Sequence, residues 1–250
     1  MEIFCQPNLP INTVNKVILS GEYGYIINEL NNLGIETITT TPHSSLSYFE
    51  RYHADMQCSY FSKGNILINN TAPLFVKFLT NSGVKVNFSD LPLKSQYPYN
   101  TALNHIIIDD KYIGNIKYTH TDILNFCKEN HYNIINVKQG YTKCSTAIVN
   151  SNALITADNG IYKACTNAEI DVLKIDCGYI NLYGYDYGFI GGCCGKLSKN
   201  ILAFTGKVSQ HKNYSDIKCF LHNYKIDILE LSNKPLVDIG SIIPLTEIVY

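Results

Sequence analysis

Apolar and polar residues follow one another along the chain in a pattern that recurs five times. Each copy begins with a short apolar run, passes through a polar stretch into a helix-like segment, and ends in a β-branched run. Alternation of this kind predicts strands, and apolar residues three and four apart predict a helix with one core-facing side. The five first runs are KVILS from Lys16, NILIN from Asn65, HIIID from His105, NALIT from Asn152 and NILAF from Asn200.

An asparagine stands near the end of every helix-like segment. In four copies the first β-branched residue comes three positions after it, and in the third copy it comes one position later. Asn and Gly tolerate the left-handed backbone that closes a helix, so each asparagine predicts a helix stop. The five residues are Asn32, Asn81, Asn130, Asn167 and Asn223.

Two helix-like segments show the core-facing spacing clearly. They are Ala72–Asn81 and Thr121–Asn130, whose apolar residues fall three and four positions apart. In the second of them we expect Thr121 and Asp122 to supply the cap and the first turn, because a hydroxyl and a carboxylate stabilise the start of a helix.

The repeat predicts the fold class. The five asparagines lie 49, 49, 37 and 56 residues apart, which argues against a regular solenoid and fits one unit with loops of differing length. We predict a single α/β domain over residues 1–250, a five-fold pseudo-symmetric α/β propeller. Five ββαβ-type units surround a central axis, and the final VDIGSIIPL segment closes the ring against the first unit. A doubly wound parallel sheet is the alternative.

Composition narrows the classes of function. The chain is 46% apolar and 16% charged with a net charge of -1 and no basic run, so we expect no nucleic-acid partner. The apolar runs are too short to cross a bilayer, and the first ten residues lack the features of a secretion signal. Nine cysteines without framework spacing predict reduced thiols in a cytoplasmic protein. Neither a membrane partner nor an oligomeric state is indicated.

The segment GGCCGKLS (Gly191–Ser198) is similar to a phosphate-binding loop, but Ile190 stands where the first glycine belongs and Leu197 where a hydroxyl residue belongs. A strand that enters a crowded region explains these glycines better, because they permit close backbone approach. The seven histidines lack the H-x-x-x-H spacing of a zinc site. We therefore expect no metal and no cofactor.

Polar residues collect at the positions that would face the axis. His53, Asp55 and Gln57 alternate, so they would share one face of a strand. Because a buried carboxylate needs a partner, we expect Asp55 and Asp238 to pair with Lys138 or Lys143. The result is either an internal ion-pair network or a pocket for a cationic or amide-bearing ligand. The further polar residues at these positions are Asn104, Lys138, Gln139, Lys143, Cys144 and Ser241.

Cys144 follows Lys143 directly and lies six residues after Lys138. A thiol near an ammonium group can have a lowered pKa and act as a nucleophile. Adjacent strand residues point to opposite faces, however, whereas Lys138 lies across a turn at Gly140 and can fold back. A buried free cysteine is also common as a small apolar residue. Both interpretations stay open.

Three segments together resemble the pentein superfamily of guanidino-group-modifying enzymes. They are HADMQCSY (His53–Tyr60), KCSTAIV (Lys143–Val149) and the long stretch Asn200–Leu231 followed by DIGSIIPL (Asp238–Leu245). That superfamily includes arginine and agmatine deiminases, dimethylarginine hydrolases and amidinotransferases, together with non-catalytic relatives. The chain resembles a bacterial branch that lacks the usual catalytic His and Cys.

The resemblance implies roles for particular residues. Asp55 would bind a guanidinium group. Lys143 stands where the family has its catalytic His, and Ser241 lies in the last-strand stretch that carries the family's nucleophilic Cys. We expect either a hydrolase or transferase acting on a C–N bond of a guanidino- or amide-type small molecule, or a non-catalytic relative that binds a small ligand or a protein. The expected catalytic residues are Cys144, Lys143, Asp55 and Ser241, and the expected substrate-binding residues are His53, Asn104, Lys138, Gln139 and Asp238.

Overall fold

The computed structural model describes residues 1–69 and 71–249. Over these residues the chain forms five small β-sheets and six α-helices in a mixed α/β arrangement. No helix in these two ranges is long and apolar enough to span a membrane.

The strands are short, and most crossover helices have nine residues. The strands are β1 (Glu2–Phe4), β2 (Thr13–Ser20), β3 (Glu36–Thr40), β4 (Cys58–Ser62), β5 (Asn65–Ile68), β6 (Lys85–Phe88), β7 (Ile106–Ile108), β8 (Lys111–Gly114), β9 (Asn133–Asn136), β10 (Thr146–Asn150), β11 (Ala153–Thr156), β12 (Asp171–Lys174), β13 (Cys194–Ser198), β14 (Ile201–Phe204), β15 (Asp227–Glu230) and β16 (Ile243–Ile248). The α-helices are α1 (Gly24–Asn32), α2 (Ala54–Gln57), α3 (Pro73–Asn81), α4 (Thr121–Glu129), α5 (Asn159–Asn167) and α6 (Tyr214–Asn223).

Four of the sheets in the described ranges share one topology. The first strand runs antiparallel to the second, and the second runs parallel to the third, with a helix in the connection between them. These sheets are β4-β5-β6, β7-β8-β9, β10-β11-β12 and β13-β14-β15. The predicted ββαβ unit is therefore confirmed. The alternative of one doubly wound parallel sheet is wrong, because every sheet is small and contains an antiparallel pair.

The fifth sheet joins the two ends of the chain. Strand β2 pairs in parallel with β3, as in the other units, but its antiparallel partner is β16, with Ile243 opposite Ile18. Strand β1 adds to the outer edge of β16. The predicted contact between the last strand and the first unit is confirmed.

Each crossover helix buries two residues one turn apart, which is the face that the three-and-four spacing predicts. Each such side chain contributes about 1.5–3 kcal/mol when it is removed from water. The pairs are Ile26 and Leu30, Phe75 and Leu79, Ile123 and Cys127, Ile161 and Cys165, and Ile217 and Leu221.

The predicted helix stops are confirmed in position. Four of the five asparagines are the last helical residue, and Asn130 directly follows α4. The left-handed residue lies just beyond the asparagine, with φ between 56° and 80°. The backbone turns there so that a later amide can reach back into the helix, as the Ile35 N–H does to the Leu30 carbonyl at 3.0 Å. The left-handed residues are Gly34, Gly83, His131, Glu169 and Lys225.

Two local expectations are wrong. Residues 54–57 form the short helix α2, so His53, Asp55 and Gln57 do not alternate along one strand face. The cap of α4 is His120, whose Nδ1 accepts a hydrogen bond from the Asp122 N–H at 3.2 Å. The His120 ring nitrogen therefore caps the helix in place of the Thr121 hydroxyl, and Thr121 is the first helical residue.

The glycine-rich segment before β13 runs through a crowded region, as predicted. A Cβ on Gly192 would lie 2.0 Å from Asp238 Oδ1, and one on Gly195 would lie 2.0 Å from the Ile242 carbonyl oxygen. All nine cysteines are free thiols in the described ranges, and all except Cys177 and Cys219 are buried. Most of them therefore pack as small apolar residues.

Candidate functional site

Five polar positions meet in the interior, and we call them the polar cluster: Asp55, Asn104, Lys143, Cys144 and Ser241. Each lies two or three residues before β4, β7, β10 or β16, the strands that pair antiparallel with β5, β8, β11 and β2. The polar cluster therefore uses equivalent positions in different repeats. This placement explains how residues far apart in the sequence come into contact.

The Asp55 carboxylate is the principal acceptor of the polar cluster. Its Oδ2 accepts a hydrogen bond from Ser241 Oγ at 2.6 Å and another from Cys144 Sγ at 3.0 Å. Its Oδ1 has no hydrogen-bond partner in residues 1–69 and 71–249, although Asp55 is only 1% exposed. A buried carboxylate oxygen without a donor is costly, so this atom is a natural contact for a bound group.

Ser241 connects a carboxylate with an ammonium group. The Lys143 ammonium donates to Ser241 Oγ at 3.3 Å, and the Ser241 hydroxyl also lies 2.9 Å from the Gly191 carbonyl oxygen. One hydroxyl proton serves one acceptor, and the shorter distance favours Asp55. Ser241 has a φ of 71°, a conformation that non-glycine residues adopt rarely and that is concentrated at functional sites.

Asn104 holds two loops together. Its Oδ1 accepts from the backbone N–H groups of Lys143 and Cys144 at 2.8 and 3.2 Å. Its Nδ2 donates to the Asp55 carbonyl at 3.2 Å and to Cys144 Sγ at 3.0 Å. These contacts fix the position of the thiol relative to the carboxylate. The expected role of Asn104 in substrate binding stays a prediction.

A second carboxylate lies beside the polar cluster. Asp238 accepts hydrogen bonds from the backbone N–H groups of Phe189 at 2.9 Å and Gly240 at 3.0 Å. His53 Nδ1 lies 3.9 Å from Asp238 Oδ1, and both residues are buried. Burial raises the pKa of Asp238 to about 6; the nearby His53 opposes this shift and the negative charge of Asp55 adds to it.

The Cys144 thiol is protonated at neutral pH. Burial raises its pKa well above the ordinary value, and the negative charges of Asp55 and Asp238 raise it further. The shift is opposite in direction to the lowering that a neighbouring lysine would cause. The Asp55 carboxylate accepts a hydrogen bond from the protonated thiol, so Cys144 is a hydrogen-bond donor at rest.

Lys138 and Gln139 have other partners. Lys138 is exposed, and its carbonyl accepts from Asn115 Nδ2 at 2.9 Å. Gln139 donates to Asp158 Oδ2 at 3.2 Å and lines a neighbouring cavity. The expected pairing of Lys138 with a buried carboxylate is wrong, because an exposed ammonium cannot neutralise an interior charge. Lys143, which is 7% exposed, supplies the positive charge.

The cavities around the polar cluster are small. Two of about 20 and 10 Å³ adjoin Lys143, each large enough for about one water molecule. A larger cavity of about 190 Å³ lies next to Ser145, whose Oγ has no hydrogen-bond partner in the described ranges. Its polar and aromatic lining includes Gln139, Ser145, Asp158, Asp176, Tyr187 and Phe189.

Sequence reasoning missed two contributors to this region. The Gly191 carbonyl oxygen lies 2.9 Å from Ser241 Oγ, but a backbone group leaves no trace in composition. Asn8 lines both small cavities, and its side chain donates to the Ile107 carbonyl at 2.9 Å. The sequence carried one signal for Asn8, because an Asn before Leu-Pro favours a turn. In the structure Asn8 has a left-handed φ of 61°.

The model of a family of unknown function, DUF6873, matches residues 18–243. The chain belongs to this family. No curated relative matches the chain by sequence.

Solved structures with a similar fold are guanidino-modifying enzymes. The amidinotransferase SxtG of the saxitoxin biosynthetic pathway from Microseira wollei shares 9% identity, with 92% of each chain covered and a TM-score of 0.57. The inosamine-phosphate amidinotransferase StrB1 from Streptomyces griseus shares 7% identity, with 91% of each chain covered and a TM-score of 0.56. An agmatine deiminase from C. jejuni shares 8% identity over 92% of this chain and 91% of its own, with a TM-score of 0.53. These likenesses show a pentein-type fold, as the sequence predicts.

Proposed function

We propose that this protein is a divergent pentein that cleaves, or transfers a group across, a C–N bond of a small guanidino- or amide-type molecule at the polar cluster. The observation that carries the proposal is the position of Ser241 Oγ, 2.6 Å from the Asp55 carboxylate and 3.3 Å from the Lys143 ammonium group. A hydroxyl between an acceptor for its proton and a cation is equipped for nucleophilic attack.

The proposal includes a ring of five units around a central axis. Its support is the polar cluster itself, which draws on equivalent positions before β4, β7, β10 and β16. The fifth unit contributes the Gly191 carbonyl, three residues before β13. A common centre is the arrangement that lets all five repeats contribute to one set of contacts.

In the first step, Ser241 Oγ forms a bond to the guanidino or amide carbon while its proton passes to Asp55. The C–N bond then breaks, and Lys143 donates a proton to the leaving amine. In the second step, water or an acceptor amine attacks the same carbon and gives its proton to Lys143. The C–O bond to Ser241 breaks and Asp55 returns the proton to Oγ, so all groups regain their starting state.

The charge of the site favours a cationic substrate. Asp55 and Asp238 are two buried carboxylates, and Lys143 supplies one buried ammonium group nearby. Asp158 and Asp176 add carboxylates to the lining of the 190 Å³ cavity. A planar guanidinium pairs well with a carboxylate because two parallel N–H groups meet two oxygens.

Cys144 is the second nucleophile of the proposal. Its Sγ donates to the same Asp55 oxygen at 3.0 Å, so Asp55 can also accept the thiol proton. We favour Ser241 because it has the shorter contact and the lysine beside it. Substitution of Cys144 by Ala should therefore lower turnover less than substitution of Ser241 by Ala.

The test is turnover of a panel of guanidino compounds and primary amides by the purified protein, measured as release of ammonia or amine. Ser241→Ala and Lys143→Met should each abolish turnover, whereas the exposed α6 controls Ser215→Ala and Lys218→Met should retain it. Mass spectrometry should find an adduct on Ser241. Folded wild-type protein that turns over no compound of the panel would refute the catalytic proposal.

One observation favours a second function, non-catalytic binding of a small ligand or a protein. Asp55 is 1% exposed and the cavity beside it holds about 20 Å³, too little for a substrate without loop movement. The 190 Å³ cavity next to Ser145 has more room for a small molecule, and in the described ranges its lining includes no residue of the polar cluster. A thermal shift with a guanidino compound, without turnover and unchanged in Ser241→Ala, would favour this function over catalysis.

A further inference from the structure

Three buried side chains of different chemistry converge at one edge of the polar cluster. One ligand atom each from His53, Asp55 and Cys144 lies within 4.8 Å of the other two. These residues come from the loop before α2, from α2 and from the loop before β10. Nitrogen, oxygen and sulfur donors in one place form the ligand set of a zinc-class ion.

We propose that His53, Asp55 and Cys144 bind one divalent transition-metal ion of the zinc class. Ligand atoms around tetrahedral zinc lie roughly 3.5 Å apart, so small side-chain rotations bring the three atoms into position. Three protein ligands leave the fourth position for water or a bound molecule. Magnesium and calcium are disfavoured, because they take oxygen ligands in larger number.

Unpartnered atoms support this site independently of the distances. His53 Nε2 and Asp55 Oδ1 are buried and have no hydrogen-bond partner in residues 1–69 and 71–249. Buried polar atoms normally find a partner, and a metal ion satisfies a ring nitrogen and a carboxylate oxygen at the same time. The two orphaned atoms belong to two of the three proposed ligands.

The surroundings match those of known zinc ligands. A metal-bound histidine commonly directs its other ring nitrogen toward a carboxylate, and His53 Nδ1 lies 3.9 Å from Asp238 Oδ1. Asn104 Nδ2 donates to Cys144 Sγ at 3.0 Å, which orients the sulfur. Such outer contacts fix the direction of the ligand atoms.

Formal charges balance when the ion is bound. Asp55, Asp238 and a Cys144 thiolate carry three negative charges, while a divalent ion and Lys143 carry three positive charges. In binding, the Cys144 S–H bond is replaced by an S–metal bond, and the proton leaves to solvent. This group of residues then holds no net charge, which is the favourable state in a low dielectric.

The site does not depend on the proposed catalysis, since metal binding is measured without turnover. It also bears on that function: an ion on Asp55 competes with Ser241 for the carboxylate that would accept its proton. If the protein lacks turnover, metal binding can still be measured, and if it binds no metal, turnover can still be measured.

The test is titration of the purified, chelator-stripped, reduced protein with Co²⁺. We expect one ion per chain with a thiolate-to-cobalt charge-transfer band that Zn²⁺ displaces. Cys144→Ser should lose the band, and Asp238→Asn should weaken binding roughly 10- to 100-fold. Cys165→Ala, at a buried cysteine of α5, and Cys219→Ala, at an exposed cysteine of α6, should retain it.

X-ray absorption of the zinc-loaded wild type provides a measurement that needs no variant. One sulfur ligand with nitrogen and oxygen ligands is expected. The proposal fails if the wild type gives no band in excess Co²⁺, if the band survives in Cys144→Ser, or if it disappears in Cys219→Ala, which would indicate an adventitious surface site. Absence of sulfur from the ligands, or two sulfurs, would overturn it as well.

Discussion

The hydroxyl of Ser241 lies 2.6 Å from the carboxylate of Asp55, although 186 positions separate the two residues along the chain. Asp55 precedes β4 and Ser241 precedes β16, which pair antiparallel with β5 and β2 in the same way, and both residues are buried. Repetition of one supersecondary unit makes these positions equivalent, so a contact between them is built into the fold. The effect of this contact and of the surrounding buried charges on stability and on thiol reactivity can be measured.

Removal of the buried ammonium group should destabilise the protein. Lys143→Met removes the buried ammonium group that reaches the Asp55 carboxylate through the Ser241 hydroxyl, and loss of a buried charge partner costs about 3 kcal/mol. Urea unfolding measures the change in free energy. Lys138→Met, at an exposed lysine, should change it by no more than about 0.5 kcal/mol.

A double variant separates charge from packing. Asp55→Asn in the Lys143→Met background restores the charge balance, so the double variant should lose less stability than the sum of the two single losses. Strictly additive losses would show that Lys143 stabilises the fold by packing alone.

The Cys144 thiol should react slowly with iodoacetamide. Burial and the charge of Asp55 raise its pKa well above the ordinary value, and the thiolate is the reacting form. The exposed Cys219 is the internal reference. Mass-spectrometric mapping of alkylation at neutral pH should label Cys219 first; faster labelling of Cys144 would instead support a resting thiolate.

Acid should destabilise the fold through His105. Burial, with a smaller contribution from the charge of His120, lowers the pKa of His105 to about 3. An unfolded histidine titrates near 6.5, so between pH 6.5 and pH 3 the unfolded chain holds a proton that the folded chain lacks. Stability therefore falls as pH falls through this window, by at most about 1.4 kcal/mol per pH unit from this residue.

The measurement is urea unfolding of wild type and His105→Gln from pH 7 to pH 3. The variant should show the shallower dependence on pH, because its side chain does not titrate. Equal slopes in the two proteins would mean that His105 is protonated in the folded state.

A methyl group on Gly195 should disturb the contact between β13 and the segment before β16. A Cβ there would lie 2.0 Å from the backbone oxygen of Ile242, which cannot rotate away. Gly195→Ala should cost about 1–3 kcal/mol, as overpacking does. Gly24→Ala, with no atom within 4 Å of its Cβ, is the matched control and should leave the melting temperature unchanged or higher. A melting temperature unchanged in Gly195→Ala would mean that the two segments separate easily.

The repeat and its elements follow from the sequence, because their causes are local. Apolar spacing within nine or ten residues defines the buried face of each crossover helix, as with Phe75 and Leu79 in α3. Each crossover helix ends at or just before an asparagine, because the residue beyond it adopts a left-handed backbone conformation that turns the chain out of the helix. The closing strand follows from the same pattern, since β2 would otherwise lack the antiparallel partner that the other units have.

The sequence also places Asp55, Lys143 and Ser241 shortly before predicted strands, and the structure brings these three residues together. The contacts and distances among these residues were decided by the tertiary structure. The helix α2 in place of a strand and the exposure of Lys138 depend on packing against distant segments.

The direction of the Cys144 pKa shift and the convergence of His53, Asp55 and Cys144 required the folded chain. The local neighbour of Cys144 is a lysine, but the group that meets its sulfur is a carboxylate 89 positions away. Spacing along a chain reports contacts within a few residues, whereas burial and electrostatics depend on whichever atoms the fold brings together. The sequence by itself therefore determined the building unit and its polar residues, and the tertiary structure determined their chemistry.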